Sequence, residues 1–590
     1  MMDKPEKLRF LSVLSIVLTT IGIIALVFYL RNVENGASVV LLVEGSIILA
    51  VGNALSFLTV TYHKAPFFFV VFITSLFLMT IYDIRFNILQ GSDIVWEYTS
   101  SKVTMTTSTW SIGRAAIGDR YFTAASISLY PAIVSKITSL NLIPLFQWVF
   151  RAVLALIPLA LFQTVREIFG DIRLAALSAL VFIQFYYNFN LLNFLIRQGV
   201  AELFLILTIY ALVRAYKGKD SLANMTLAVL SIVGLVVTHY TMDYWSVIVF
   251  AGIFLLCAAI SRFPRQLSSL FKVSGFKGVQ QVISSQIMIF FVGFSLFWIY
   301  FTNSFPFLID IHNEIYLVTS QIRATPGAVS ATTPTSSWFF NNPAGPVIGF
   351  WFDLSMILIP IGLLYLIFRY DKKPVHMPWV IGGLVMLGFL AVWVVLGKAM
   401  LGLFLDRVIS MGSPFFATFI ALSILVFCAK LATSKKKVFK GLAVALPLMF
   451  LVINVPMNMV VPSYQRYLLY QPTETVNPET AINQNIIWPT MYGASAWLDQ
   501  HIIENETYWA GFTNGWFYSS YRMGLDYSEE PPNNTTGTYF LLDYYNLHFG
   551  LWQGPLNVIH FPVNDVLSKS SVVFSNGDAA IIAKAQNGGT

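Results

Sequence analysis

Charge is scarce in this chain. Only 11% of its 590 residues are Asp, Glu, Lys or Arg, against about 25% in soluble globular domains, so an ordinary soluble fold is excluded. Cysteine is nearly absent: Cys257 and Cys428 are the two in the sequence, and both sit in apolar runs. Neither a disulfide framework nor a zinc cluster can be built from them. There is no clear internal repeat of the kind that marks many pseudo-symmetric transporters. The net charge of +7 is carried mostly by short loops between apolar runs, where it reports membrane topology, so nucleic acid is not an expected partner.

What is abundant is apolar sequence. Hydrophobic residues make up 56% of the chain and aromatic ones 15%, with a mean hydropathy of +0.69. The first apolar run, Phe10 to Leu30, is long enough to cross about 30 Å of hydrocarbon. It is longer than the core of a cleavable signal peptide and no small-residue cleavage site follows, so it reads as a retained helix. Hydropathy predicts about 13 spans, near residues 10–30, 38–60, 66–84, 142–164, 174–189, 199–215, 225–240, 244–261, 282–304, 346–368, 378–397, 408–430 and 441–460.

With the N-terminus inside, Lys4, Lys7, Arg9, Lys64, Arg166, Arg173, Arg214, Lys217, Lys219, Arg262, Arg369, Lys372 and the lysines of residues 430–440 all fall on the cytoplasmic side, as the positive-inside rule requires. The expected fold class is therefore an α-helical polytopic membrane protein over residues 1–462, with a small extracytoplasmic α/β domain over 463–590. In that domain TYFLLDYYN and SVVFSNGDAAIIAK read as strands, the latter bent at Asn576-Gly577, and YGASAWLDQHI reads as a helix. Acceptor patterns for N-glycosylation at Asn505, Asn533 and Asn534 agree with that side. Two more segments lie outside: residues 85–141, including an amphipathic stretch from Phe122 to Leu140 expected along the interface, and the Thr-, Ser- and Pro-rich residues 305–345, a candidate lid or linker.

Within 85–141 lies an acidic island, QGSDIVWEYTSSK. If Ser92 caps a helix, Asp93 falls in its first turn and Glu97 one turn on, on the same face. Like charges at this spacing repel by a few tenths of a kcal/mol, so the pair faces either a reaction or water. Other ionisable groups stand beside spans, where they are costly and hence functional candidates. Arg197, Gln198 and Glu202 occur in NFLIRQGVAELF; His239, Tyr240 and Asp243 in THYTMDYW; Lys398, Asp406 and Arg407 in GKAMLGLFLDRVIS. Arg197, Lys398 and Arg407 are expected at one depth, where a lipid phosphate would sit, and Arg grips phosphate in a fork geometry. Glu44, Arg151 and Asp353 also fall within spans, with interhelix pairing as the expected role.

The segments IRQGVAELF, THYTMDY and VFSNGDAAII are similar to an archaeal family of polytopic membrane proteins grouped with the GT-C glycosyltransferases, over most of the chain after the second span. The resemblance implies a catalytic carboxylate in the acidic loop, which maps to Asp93 with Glu97 as partner. It also implies basic residues that bind the phosphate of a polyprenyl-linked sugar, with Arg407 the best match and Arg197 and His239 looser ones. The chain departs from the class in having no WWDYG sequence, an Asp-x-x-x-Glu rather than an adjacent Asp-Glu, and two spans before the third.

The expected activity is inverting transfer of a sugar from a dolichyl- or other polyprenyl-phosphate donor to a glycan, lipid or protein acceptor on the outer face. Asp93 is the candidate base, with Arg407, Arg197, Lys398 and His239 on the donor phosphate. Trp96 and Tyr98 are candidates to stack on the sugar, and Gln198, Glu202, Tyr240 and Asp243 to line the site. Asp93 and Glu97 would hold a divalent cation such as Mg or Mn if one is used. The alternative readings are a transporter or lipid flippase, or a non-catalytic scaffold of the same fold.

Overall fold

The structure, a computed structural model, describes residues 4–32, 37–86, 89, 92–110, 120–185, 195–262, 283–302, 345–369, 374–396, 405–433, 438, 441–442, 445–453, 508–510, 539–542, 547, 551–553, 558–560, 563–568, 570–575 and 580–584. Each of the first twelve expected spans falls on a helix. These are α1 (Lys4–Asn32), α2 (Val39–Thr59), α3 (Lys64–Phe86), then beyond the loop α6 (Leu142–Phe169), α7 (Ile172–Gln184), α8 (Ile196–Tyr216), α9 (Ser221–Thr238), α10 (Tyr240–Arg262), α11 (Ser285–Phe301), α12 (Gly345–Phe368), α13 (Met377–Leu396) and α14 (Leu405–Ala432). The thirteenth, 441–460, lies partly outside the described residues. Among those described, seven helices are long and apolar enough to cross a membrane, and five shorter apolar helices stand beside them. The chain is a multi-pass membrane protein.

The chain divides into two compact units. The first comprises Met1–Ile81, Ser111–Ser126 and Trp148–Pro462. Its helices show the inverted pattern of a lipid-solvated fold. On α1 the residues Phe10, Val13, Val17, Ile21, Ile24 and Phe28 are exposed while Ser12, Ser15 and Thr19 are buried. In water such a face would be turned inward by the hydrophobic effect; in hydrocarbon it costs nothing to leave apolar side chains outside, and small or polar groups make the helix contacts. Gly22, Gly45 and Gly52 accordingly line the α1–α2 contact: a Cβ on Gly22 would lie 2.6 Å from the Leu49 amide nitrogen, and one on Gly52 2.8 Å from that of Thr19. Asn53 Nδ2 donates to Thr74 Oγ1 at 3.3 Å, joining α2 to α3.

Tight turns are set by the expected chemistry. Gly170, at φ +74°, closes α6, and the Asp171 carboxylate accepts from the Arg173 and Leu174 amides to start α7. α7, α12 and α13 all pack on α14. Glu44 departs from expectation: it is exposed on α2 rather than set between helices, whereas Arg151 is buried. The side chain of Asp353 lies outside the described residues.

The second unit gathers Tyr82–Trp110, Ile127–Gln147 and Ser463–Thr590, so two pieces of the loop expected between spans group with the C-terminal residues. Its helices α4 (Ser92–Thr107) and α5 (Tyr130–Thr138) are linked by side chains: Lys136 Nζ to Ser108 Oγ at 2.6 Å, Ser135 Oγ to Met105 Sδ at 3.3 Å. α5 is amphipathic, with Tyr130, Ile133 and Ile137 exposed on one face and Pro131, Ala132 and Ser135 buried on the other. The C-terminal strands form a sheet in the order β1-β2-β6-β5, from Tyr508–Ala510, Tyr539–Leu542, Ala580–Lys584 and Ser570–Ser575. β1 runs parallel to β2 and the other pairs are antiparallel. β5 and β6 are the two arms expected on either side of Asn576-Gly577, with a register shift between Val572 and Phe574. A second sheet pairs β3 (Leu551–Gln553) with β4 (Val558–His560), and a helix, α15 (Val563–Ser568), precedes β5. The helix expected at YGASAWLDQHI, the acceptor asparagines and residues 305–344 lie outside the described residues.

The α12–α14 crossing yields a test. A Cβ on Gly362 would sit 2.1 Å from the Phe419 carbonyl oxygen, while one on Gly293 meets nothing within 4 Å. Gly362→Ala is expected to destabilise the bundle by about 1–3 kcal/mol, the cost of forcing packed elements apart, and Gly293→Ala by no more than about 0.5 kcal/mol. Thermal unfolding of the two variants in detergent checks the contrast.

Candidate functional site

In the second unit, Asp93 and Glu97 lie one turn apart on α4, whose first helical residue is Ser92. Glu97 has no exposure, so its carboxyl is not on a solvated face. Downstream on α4, Thr99, Ser100, Ser101 and Thr104 are buried as well, and Ser101 Oγ donates to the Ile127 carbonyl. Tyr98 is buried edge-on against Phe146, ring centroids 5.9 Å apart, while Trp96 is half-buried. The side chain of Asp93 lies outside the described residues.

In the first unit, Arg197, Gln198 and Glu202 occupy the first two turns of α8 and all three are buried. The Arg197 guanidinium lies 4.3 Å from the centroid of the Tyr121 ring, a cation–π contact that orients the fork. Gln198 Nε2 donates to Glu202 Oε1 at 3.3 Å, one helical turn away. The same oxygen accepts from Ser410 Oγ of α14 at 2.8 Å. Arg407 is one turn before Ser410 on that helix; its side chain, like the whole of Lys398, lies outside the described residues.

At the THYTMDY turn, His239 lies between α9 and α10. Its Nδ1 accepts from the Met242 amide at 3.2 Å, capping the start of α10 as a side-chain oxygen usually does. Accepting through Nδ1 leaves Nε2 as the nitrogen that can donate. The His239 and Tyr240 rings stack with centroids 5.3 Å apart. Asp243, buried one turn further, accepts from Ser295 Oγ of α11 at 2.7 Å.

The structure thus brings Glu202, bonded by Gln198 of its own helix, to α14, and His239, Tyr240 and Asp243 to one helix start. Three partners escaped sequence reasoning: Tyr121, Ser295 and Ser410. Among the described residues no group of three or more His, Cys, Asp or Glu could hold a metal.

Comparison with solved structures finds a shared fold in the first of the following. The archaeal oligosaccharyltransferase AglB from Archaeoglobus fulgidus, in complex with an inhibitory peptide and a dolichol-phosphate, matches over 82% of this chain and 70% of its own, with a TM-score of 0.52 at 11% identity. ArnT from Cupriavidus metallidurans, bound to undecaprenyl phosphate, matches over 89% and 98% with a TM-score of 0.48 at 9% identity. An A. fulgidus oligosaccharyltransferase in complex with Zn and sulfate matches over 81% and 68%, with a TM-score of 0.46 at 14% identity. No protein-family model and no curated protein matches the sequence. What is shared with AglB is the fold, and it is the GT-C fold expected from the sequence.

The cap at His239 yields a test. His239→Asn keeps a side-chain acceptor for the Met242 amide and is expected to hold stability within about 0.5 kcal/mol, whereas His239→Ala loses the cap and about 1 kcal/mol. Thermal midpoints of the two variants in one detergent check the difference.

Proposed function

We propose that the chain is a membrane glycosyltransferase that takes a sugar from a polyprenyl-phosphate donor and passes it to an acceptor hydroxyl. The observation that carries this reading is the carboxylate pair of α4: Asp93 and Glu97 share a helix, one turn apart, and Glu97 is fully buried. An ionisable residue buried in a membrane protein is a functional candidate. The GT-C fold and the arginines at the starts of α8 and α14 support the same reading. The positive end of the helix dipole at each start favours a phosphate.

The chemistry is a single displacement. Asp93 accepts the proton of the acceptor hydroxyl as its oxygen attacks the anomeric carbon. The bond from that carbon to the phosphate oxygen breaks, and the electron pair leaves with the polyprenyl phosphate. Attack opposite the leaving group inverts the anomeric configuration. Glu97 orients the acceptor or assists the base. Arg407, Arg197 and Lys398 neutralise the charge that builds on the departing phosphate, with His239 donating through Nε2, and preorganised donors of this kind are commonly a large catalytic contribution. Trp96 and Tyr98 offer faces for a sugar ring, and the whole reaction is assigned to the extracytoplasmic side, with the N-terminus cytoplasmic and residues 463–590 outside.

Transfer is measured with full-length protein in liposomes, using a panel of dolichyl-phosphate monosaccharides labelled in the sugar. Wild type is expected to transfer label, and Asp93→Asn to lose about 10²–10⁴-fold in rate, the usual worth of a general base. Full activity in Asp93→Asn would remove that residue from the chemistry. Movement of intact labelled lipid across the bilayer without sugar transfer would favour the flippase reading.

A further inference from the structure

We propose that Glu202 is a positioning residue: by accepting the Ser410 hydroxyl it holds the first two turns of α14, and with them Arg407, against the start of α8 that carries Arg197. The inference rests on the assignment of those two arginines to the donor phosphate.

The link joins residues 208 positions apart in the sequence, and neither side chain has any exposure. The order of their shared contacts gives the two helices one direction. Beyond the Glu202–Ser410 bond, Ile209, Leu212 and Val213 of α8 and Phe415 of α14 line one apolar cavity. Arg197 therefore precedes the link by five residues and Arg407 by three, which at 1.5 Å per residue sets them about 7.5 and 4.5 Å along their axes on the same side of it. One bond fixes the relative height of two cations on separate helices.

α14 needs such a bond because its own ladder is broken at the same place. Pro414 lies inside the helix and, having no N–H, cannot donate to the carbonyl four residues back. That carbonyl belongs to Ser410. The segment carrying Arg407 is thus joined to the rest of α14 through a weakened turn, and the residue that loses its backbone donor is the one whose side chain reaches Glu202. Gln198 completes the arrangement by donating to the same Glu202 oxygen, which orients the carboxyl toward α14. A carboxyl whose sole task were to be neutralised could be met within its own helix. This one spans two helices at the joint of the second.

The test is binding of labelled dolichyl phosphate to full-length protein in nanodiscs, which requires no knowledge of the sugar. Ser410→Thr and Ser410→Val are nearly isosteric and differ by the hydroxyl. Ser410→Val is expected to raise the Kd for dolichyl phosphate about tenfold relative to Ser410→Thr, the worth of one hydrogen bond, with equal thermal midpoints. Adding Pro414→Ala to Ser410→Val restores a backbone donor for the 410 carbonyl and is expected to recover most of the lost affinity. Ser413→Ala, one turn on and outside the link, binds as wild type. Equal affinity of the Thr and Val variants, or no recovery with Pro414→Ala, overturns the positioning role. If wild type itself does not bind dolichyl phosphate, the donor assignment fails, and this inference with it.

Discussion

A polar group inside a bilayer must find its partner in protein, because hydrocarbon offers none. The architecture of the first unit follows from that constraint. Gln198, Glu202 and Ser410, Asp243 and Ser295, Asn53 and Thr74 are each side chains that a lipid would not accept, and each is met by another helix or another turn. The apolar residues, by contrast, are free to face either way. In a water-soluble fold the core selects the apolar face and leaves the polar one loose; here the polar pairs select the contact and the apolar faces are loose. The positions of α8, α10, α11 and α14 are therefore read more directly from a few hydrogen bonds than from their many Leu, Ile and Phe.

The fold was largely legible. Span positions follow from hydropathy because an apolar run of sufficient length has few other stable fates, and α1 to α3 and α6 to α14 stand where the sequence places them. The β5–β6 pair was equally visible, since alternation and an Asn-Gly turn point to the same hairpin. The grouping of Tyr82–Trp110 and Ile127–Gln147 with the C-terminal residues was not visible. Those segments are separated from Ser463 by some three hundred positions, and no local pattern records which distant piece of chain a loop will join.

The site was legible in its charged members and opaque in its hydroxyls. Asp93, Glu97, Arg197, Glu202 and Asp243 stand out because an ionisable residue in or near an apolar run is rare. Ser410 and Ser295 do not, since a serine in a span ordinarily bonds the carbonyl one turn back, as Ser46 does with Leu42 and Ser178 with Leu174. Only the partner across the bundle distinguishes the two uses. For Ser410 one local signal existed: a proline four residues later marks a helix turn short of one donor. The aromatic partner of Arg197, Tyr121, lay outside reach because loop and span are joined only in three dimensions.

The glycine-lined contact of α1 and α2 has a thermal consequence. Its partners approach backbone to backbone, and the surface they bury exchanges lipid for protein rather than water for protein. Such a contact lacks the large heat-capacity change that accompanies removal of apolar area from water. Its strength should accordingly vary little on cooling. The C-terminal sheet, whose Leu542, Ile581 and Ile582 are buried, draws on the water-driven effect and weakens toward low temperature. The two parts of this chain thus answer to different solvents and age differently along a temperature scale, so that cold would loosen the sheet while leaving the first helical hairpin as tight as before.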